Sequence, residues 1–273
     1  MGKFEGVLLC TDLDGTILRD DKSISAENLQ AIEYFKAEDG LFTIVTGRMP
    51  FAATEIIDTV KPNIPFGCIN GGGVFDPWKG DYIWTSQMAD GVNELIAAVD
   101  REVPEAGIQV NTFYHTYFSK ENDTMRIFRE IQNLPNLVRH YAAVDEPVAK
   151  IVFSSEKEEQ IQQIAKVLHT HPRSSEFNFI RSERSLYEIL PKGIGKGAAI
   201  ENLVRHLGLD PNKTIAMGDY NNDISMFHAA KIGVAVSNAC PDALAAADYI
   251  TVSNQQHAVA QIIDDLQTGK LML

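Results

Sequence analysis

Six short, largely apolar runs, each breaking off into small, amide or acidic residues, constrain this chain most. Three lie near its start, at residues 7–10, 41–45 and 66–69, and three near its end, at 214–217, 233–236 and 249–252. Runs this short and without alternation are those of strands covered on both faces. Helical patterns fill the intervals. Ser25 is placed to cap a helix whose apolar stripe is Leu29, Ile32 and Phe35 and which Gly40 stops. Pro50 opens a second helix, and others are expected over 197–206, ended by Gly208, then near 223–230, after Pro241, and over 256–266. Strand–helix alternation at both ends implies an α/β fold whose core is one doubly wound, Rossmann-like parallel sheet assembled from the two ends.

The middle differs. Around Trp78 and Trp84 the pattern changes to alternating segments such as 107–117, with helical stretches near 91–102 and 156–169. This reads as an inserted α+β cap domain. The expected division is a core of residues 1–80 and 190–273 and a cap of 81–189, joined by linkers near 78–83 and 186–191. A domain tethered at two points favours opening and closing as a unit.

The formal net charge is −13, from 24 basic and 37 acidic side chains, and no Lys/Arg run offers a basic patch. A field of that sign repels nucleic-acid backbones and anionic membrane surfaces, so neither is expected as a partner. The three cysteines, Cys10, Cys68 and Cys240, show no CxxC spacing, and each sits in or beside an apolar run. They read as reduced thiols rather than a disulfide framework or a zinc site. The apolar stretch at residues 7–10 is too short for a signal peptide or a membrane span, and the cytoplasm is the expected location. The oligomeric state has no sequence signature.

Four strand or helix ends carry chemistry. At the first, Asp12-Leu13-Asp14-Gly15-Thr16, two carboxylates stand at i and i+2, on one side of an extended chain. Such a pair repels itself unless it shares a cation or a proton. An acidic Asp-Gly turn is the plainer alternative. At the second, Gly218-Asp219-Tyr220-Asn221-Asn222-Asp223, acids and amides cluster without His or Cys, which suits a hard, oxygen-preferring cation better than zinc. A helix N-cap cluster would use the same residue types. At the third, Lys196 stands among glycines at a helix entry, where the dipole disfavours a cation unless an anion compensates it. At the fourth, Thr46-Gly47-Arg48 offers a hydroxyl and a backbone N–H to an anion, or forms an ordinary strand-to-helix loop. Residues 193–198 also fit GxGxxA, but the acidic residue that a dinucleotide site needs about 20 positions on falls inside the second acidic cluster. Dinucleotide binding is therefore not expected.

Together these four motifs resemble the haloacid dehalogenase-like (HAD) phosphohydrolase superfamily. DxDGT at 12–16, Thr46, Lys196-Gly197 and GDxxND at 218–223 stand in that family's order, and TGR, INGG and GDYNND look like its Cof-type branch. The interval from Thr16 to Thr46 leaves no room for a cap after the first motif. The long one from Arg48 to Lys196 holds the large α/β cap.

The resemblance implies a phosphatase in which Asp12 is the nucleophile and Asp14 the general acid and base. It implies phosphate binding by Thr46, Gly47 and Lys196. Mg²⁺ would be held by the Asp12 carboxylate, the Asp14 carbonyl and Asp219, with Asn222 and Asp223 orienting waters, ion or phosphate. The substrate implied is a small phosphate ester, most of all a sugar phosphate, with specificity in the cap, where His115, Tyr117, Arg126 and His140 are candidates to face the cleft. Two alternatives stand beside it. A hexose phosphomutase would share DxDGT, and a catalytically idle ligand-binding regulator would keep the scaffold.

Overall fold

The computed structural model describes residues 2–273. They form two compact units, one of residues up to 85 together with 195–273, the other of residues 86–194. The first unit begins with β1 (Leu8–Thr11), α1 (Ala26–Ala37), β2 (Leu41–Ile44), α2 (Pro50–Val60), β3 (Phe66–Cys68), β4 (Gly73–Asp76) and β5 (Asp81–Thr85). The second comprises α3 (Val92–Glu102), β6 (Gly107–Thr112), β7 (Thr116–Lys120), α4 (Asp123–Ile131), β8 (Leu137–Val138), β9 (Val148–Ser154), α5 (Glu158–Thr170), β10 (Phe177–Glu183) and β11 (Leu186–Pro191). The chain returns to the first unit with α6 (Lys196–Leu207), β12 (Thr214–Gly218), α7 (Ile224–Ala229), β13 (Ile232–Val236), α8 (Pro241–Ala246), β14 (Tyr249–Thr251) and α9 (Ala258–Gln267).

The core of the first unit is a parallel sheet of order β14-β13-β12-β1-β2. Its strands are mostly apolar because the sheet is covered on both faces away from its β14 edge, and β1 and β12 are buried at every position. Helices α1 and α9 pack against one another, and so do α6 and α7. Local chemistry sets their ends. Ser25 Oγ accepts from Asn28 N at 3.2 Å to cap α1. Gly208, at φ +65°, closes α6 in the left-handed region where glycine carries no Cβ penalty.

Two sequence expectations shift. The run at 66–69 meets the parallel sheet only through a bridge between Val45 and Gly67. β3 instead pairs antiparallel with β4, and β4 with β5, because the glycines at 71–73 turn the chain straight back. The linkers expected at 78–83 and 186–191 are not linkers. Residues 81–85 are β5, 186–191 are β11, and the units meet in sequence at 85/86 and 194/195. Both segments pair with neighbouring strands, which apolar content alone does not reveal.

The second unit is a six-stranded sheet of order β10-β11-β9-β6-β7-β8, antiparallel except for the β7–β8 pair. Strand alternation divides it. Ile108, Val110, Ile151, Phe153, Tyr187 and Ile189 join the core that α3 and α5 complete with Leu95, Ile96, Val99, Ile161, Ile164 and Leu168. Several intervening positions are polar yet buried, among them Gln109, Asn111, Lys150 and Glu188, beside apolar Val152 and Leu190. No helix among the described residues is long and apolar enough to cross a membrane.

Candidate active site

The site lies at the carboxyl ends of β1, β2 and β12, all in the first unit. β1 and β12 are neighbours in parallel register, Thr11 opposite Met217, so the residues that follow them emerge side by side. Asp12 N still donates to Met217 O at 2.8 Å. Beyond it the chain makes one wide turn, closed by Leu18 N donating to Leu13 O at 2.9 Å, with Gly15 at φ +78°. A Cβ on Gly15 would run into the Asp219 carboxylate, so the glycine lets the turn lie directly against that side chain.

Asp12, Asp219 and Asp223 each bring a carboxylate oxygen within 4.8 Å of the others. Lys196, at the first turn of α6 and 1% exposed, donates to Asp12 Oδ1 at 2.6 Å and to Asp223 Oδ1 at 2.5 Å. The other oxygen of Asp223 accepts from the backbone of Asp219 (2.8 Å) and Tyr220 (2.9 Å), so this carboxylate is spent on holding the loop and the lysine. Thr16 Oγ donates to Asp219 Oδ1 at 2.9 Å. One oxygen of Asp12 and one of Asp219 accept nothing from the described residues.

With all three carboxylates ionised, the one ammonium leaves this cluster two negative charges in excess. Burial pushes Asp12 well above the usual carboxylate range against the pull of Lys196, and Asp223 and Asp219 push it further. Burial, then Asp223, push Asp219 up to about 7. Burial opposes the charge on Lys196, but Asp12 and Asp223 outweigh it and raise its pKa. Carboxylates in this condition take up either protons or a cation. The donor set is all oxygen, two of its oxygens are uncommitted, and Gly15 keeps the space beside Asp219 Oδ2 clear. These features fit a hard divalent ion such as Mg²⁺ and not zinc.

The other expected residues fall around this cluster. Thr46 is buried just past β2, and its Oγ accepts from Arg48 N at 3.2 Å, which leaves the hydroxyl proton for an anion. Asn222, 6% exposed, donates through Nδ2 to Asn70 Oδ1 at 3.1 Å, and its own Oδ1 is buried without a partner. Asp14 turns toward two cations: Arg48 holds both its oxygens at 2.8–3.1 Å, and Lys22 reaches Oδ1 at 2.8 Å. Burial alone would raise the pKa of Asp14, but Arg48 and Lys22 outweigh it and lower it. Arg48 and Asn70 stand in the TGR and INGG motifs without any sequence sign of these contacts, and Lys22 stands in none. Within the second unit, the four side chains expected to face a cleft are engaged locally. His115 and Tyr117 bond Glu146, Arg126 pairs with Asp123 and Glu130, and His140 Nδ1 accepts from Ala142 N.

Comparison with known proteins is consistent along the whole chain. The family model described as haloacid dehalogenase-like hydrolase matches residues 9–263. A putative phosphatase of Bacillus subtilis, YxeH, is 26% identical over 96% of this chain and 99% of its own. The 5-amino-6-(5-phospho-D-ribitylamino)uracil phosphatase YwtE of the same organism is 26% identical over 96% of this chain and 98% of its own. Among solved structures, the HAD subclass IIB sugar phosphatase BT4131 superposes with a TM-score of 0.84 at 22% identity, covering 97% of this chain and 100% of that one.

Proposed function

Because the chain belongs to the haloacid dehalogenase-like hydrolases, we propose that it is a Mg²⁺-dependent phosphomonoesterase of small phosphometabolites, chiefly sugar phosphates, working through a phosphoryl group carried on Asp12. That it is a phosphatase rests on its relatives. The observation that carries the finer reading is the excess of two negative charges in the buried cluster around Lys196, with one free oxygen each on Asp12 and Asp219. Asp12, Asp219 and the Asp14 carbonyl would hold the ion. Bound there, Mg²⁺ would draw charge from the phosphoryl group and keep the carboxylates ionised.

The chain's own residues divide the work. Lys196 holds Asp12 Oδ1 and so fixes the carboxylate, whose two oxygens would divide between the ion and attack on phosphorus. Thr46 and Gly47 offer a hydroxyl and an N–H to the phosphoryl oxygens, and Lys196 offsets charge spread in the loose transition state. Asp14, ionised between Arg48 and Lys22, is ready to take a proton from water when the acyl phosphate is cleaved. To protonate the departing alcohol in the first step it must first leave those two cations and take up a proton from solvent, and the proton it later takes from the attacking water restores the acid for the next turnover.

The inserted unit, taken by itself, has open polar groups that suit a polyhydroxylated ligand. Gln109 Oε1 and Asn111 Nδ2 are buried without partners on the polar side of its sheet, which also carries the Lys150–Glu188 ion pair at 2.9 Å. One open acceptor and one open donor suit hydroxyls, which do both. The buried thiols of Cys10 and Cys68 fit a reducing, cytoplasmic setting. The test is phosphate release from a panel of sugar phosphates, nucleotides and phosphorylated acids, with Mg²⁺ and with chelator. Mg²⁺-dependent release led by the sugar phosphates supports the reading. Undiminished release in chelator, or isomer formation without phosphate release, contradicts it.

A further inference from the structure

The most constrained backbone beside the site lies in the turn after β3, which has no role so far. Ile69 and Asn70 both adopt left-handed conformations, at φ +58° and +50°. For a β-branched residue such as isoleucine this is strained, and it persists only where the surroundings enforce it. Here they do. Ile69 N donates to Arg48 O at 3.0 Å and Asn70 N to Thr46 O at 3.1 Å, so two successive N–H groups are committed to the Thr46–Arg48 loop. Asn70 is fully buried, and its Oδ1 accepts from Asn222 Nδ2. A Cβ on Gly47 would lie 2.9 Å from that same Oδ1. One residue on, a Cβ on Gly71 would collide with the backbone of Gly195, just before Lys196. The turn therefore touches the threonine loop, the entry to α6 and the acidic loop.

We propose that Asn70 is a positioning residue that joins the Thr46–Gly47 loop to Asn222 and sets the direction of the Asn222 amide. Because Asn70 takes the Nδ2 end, Asn222 Oδ1 is the end left buried and unpartnered. That acceptor awaits a donor, such as a water bound beside the acidic cluster. Asparagine suits the position because it tolerates the left-handed region and carries the acceptor that Asn222 needs. Alanine would supply neither, and glycine only the backbone.

The inference rests on the phosphatase reading, and the experiment separates the two. The probe is inorganic phosphate, titrated calorimetrically in Mg²⁺ into the full chain, wild type and Asn70→Gly, Asn70→Ala, Asn222→Ala and the Asn70→Gly/Asn222→Ala double variant. Thermal melts and kcat and KM for p-nitrophenyl phosphate are measured alongside. Asn70→Gly keeps the backbone and removes only the amide. It is expected to weaken phosphate binding roughly tenfold, about the worth of one well-made hydrogen bond, and to melt near wild type. Asn70→Ala should show the same binding defect with a lower melting temperature. The double variant should be no worse than its worse single, because the two side chains act through one contact. Binding by Asn70→Gly within about twofold of wild type, defects that multiply in the double variant, or Asn70→Gly failing to fold would each overturn the proposal. No binding by the wild type would overturn the phosphatase reading, and the proposal with it.

Discussion

Replacing Lys196 by methionine keeps most of the side-chain volume and removes the charge. Lys196 is 1% exposed and holds Asp12 and Asp223 at 2.6 and 2.5 Å, and those residues are 6% and 0% exposed. Breaking a buried ion pair from one side costs about 3–5 kcal/mol, because the remaining charge has no water and no partner. In a folded unit of this size each kcal/mol is worth about 2–4 °C of melting temperature, so Lys196→Met should melt about 6–20 °C lower in chelator. Mg²⁺ should restore part of the loss, since a cation in the acidic cluster compensates the same carboxylates. Turnover should fall by about 10²–10³ even with Mg²⁺, if Lys196 offsets phosphoryl charge as proposed. The assay is thermal melting with chelator and with Mg²⁺, paired with steady-state phosphate release. A variant that melts with wild type in chelator and keeps kcat/KM within about tenfold would refute the reasoning from buried charge.

Three further outcomes follow from the same geometry. Gly15→Ala places a Cβ against the Asp219 carboxylate in a left-handed backbone position. It should weaken Mg²⁺ binding and activity together, checked by titrating Mg²⁺ against phosphate release. Zinc should fail to replace Mg²⁺ after exhaustive chelation, because every candidate ligand is oxygen; full recovery with zinc would count against the metal assignment. In the second unit, burial disfavours ionised Glu146, but hydrogen bonds from His115, Tyr117 and Thr112 outweigh it and hold its pKa at about 2, against an ordinary 4.5. A carboxylate depressed on folding contributes stability above its unfolded pKa, lost as pH falls through the folded one. Melting temperature should therefore decline between about pH 4.5 and 2, and Glu146→Gln should flatten that decline.

The strand ends were legible because a sheet covered on both faces demands apolar runs, and the residues just past β1, β2 and β12 are polar where the sheet stops. Asp12, Thr46 and Asp219 could be read there one by one, and Lys196 at the entry to α6. Their partners could not. Asp14 looks free in sequence, yet Arg48, 34 positions on, holds both its oxygens. Asn70 reads as one residue of a glycine-rich turn, although its side chain meets Asn222, 152 positions away. An asparagine before a glycine does signal a left-handed residue, but nothing local says what its amide will meet. The unit boundary was misplaced for a related reason. Residues 81–85 lack the apolar run of a buried strand because β5 is the partly exposed edge of a small antiparallel sheet.

Asp12 is the residue proposed to carry the phosphoryl group. The direct test is acid quenching of the enzyme during turnover of a ³²P-labelled sugar phosphate, followed by peptide mapping. Wild type should yield an acid-stable, hydroxylamine-sensitive label on the peptide containing Asp12, and Asn at that position should give none while the protein melts as a folded chain. Label of equal strength on the Asp12→Asn variant, or turnover persisting in it, would contradict the account.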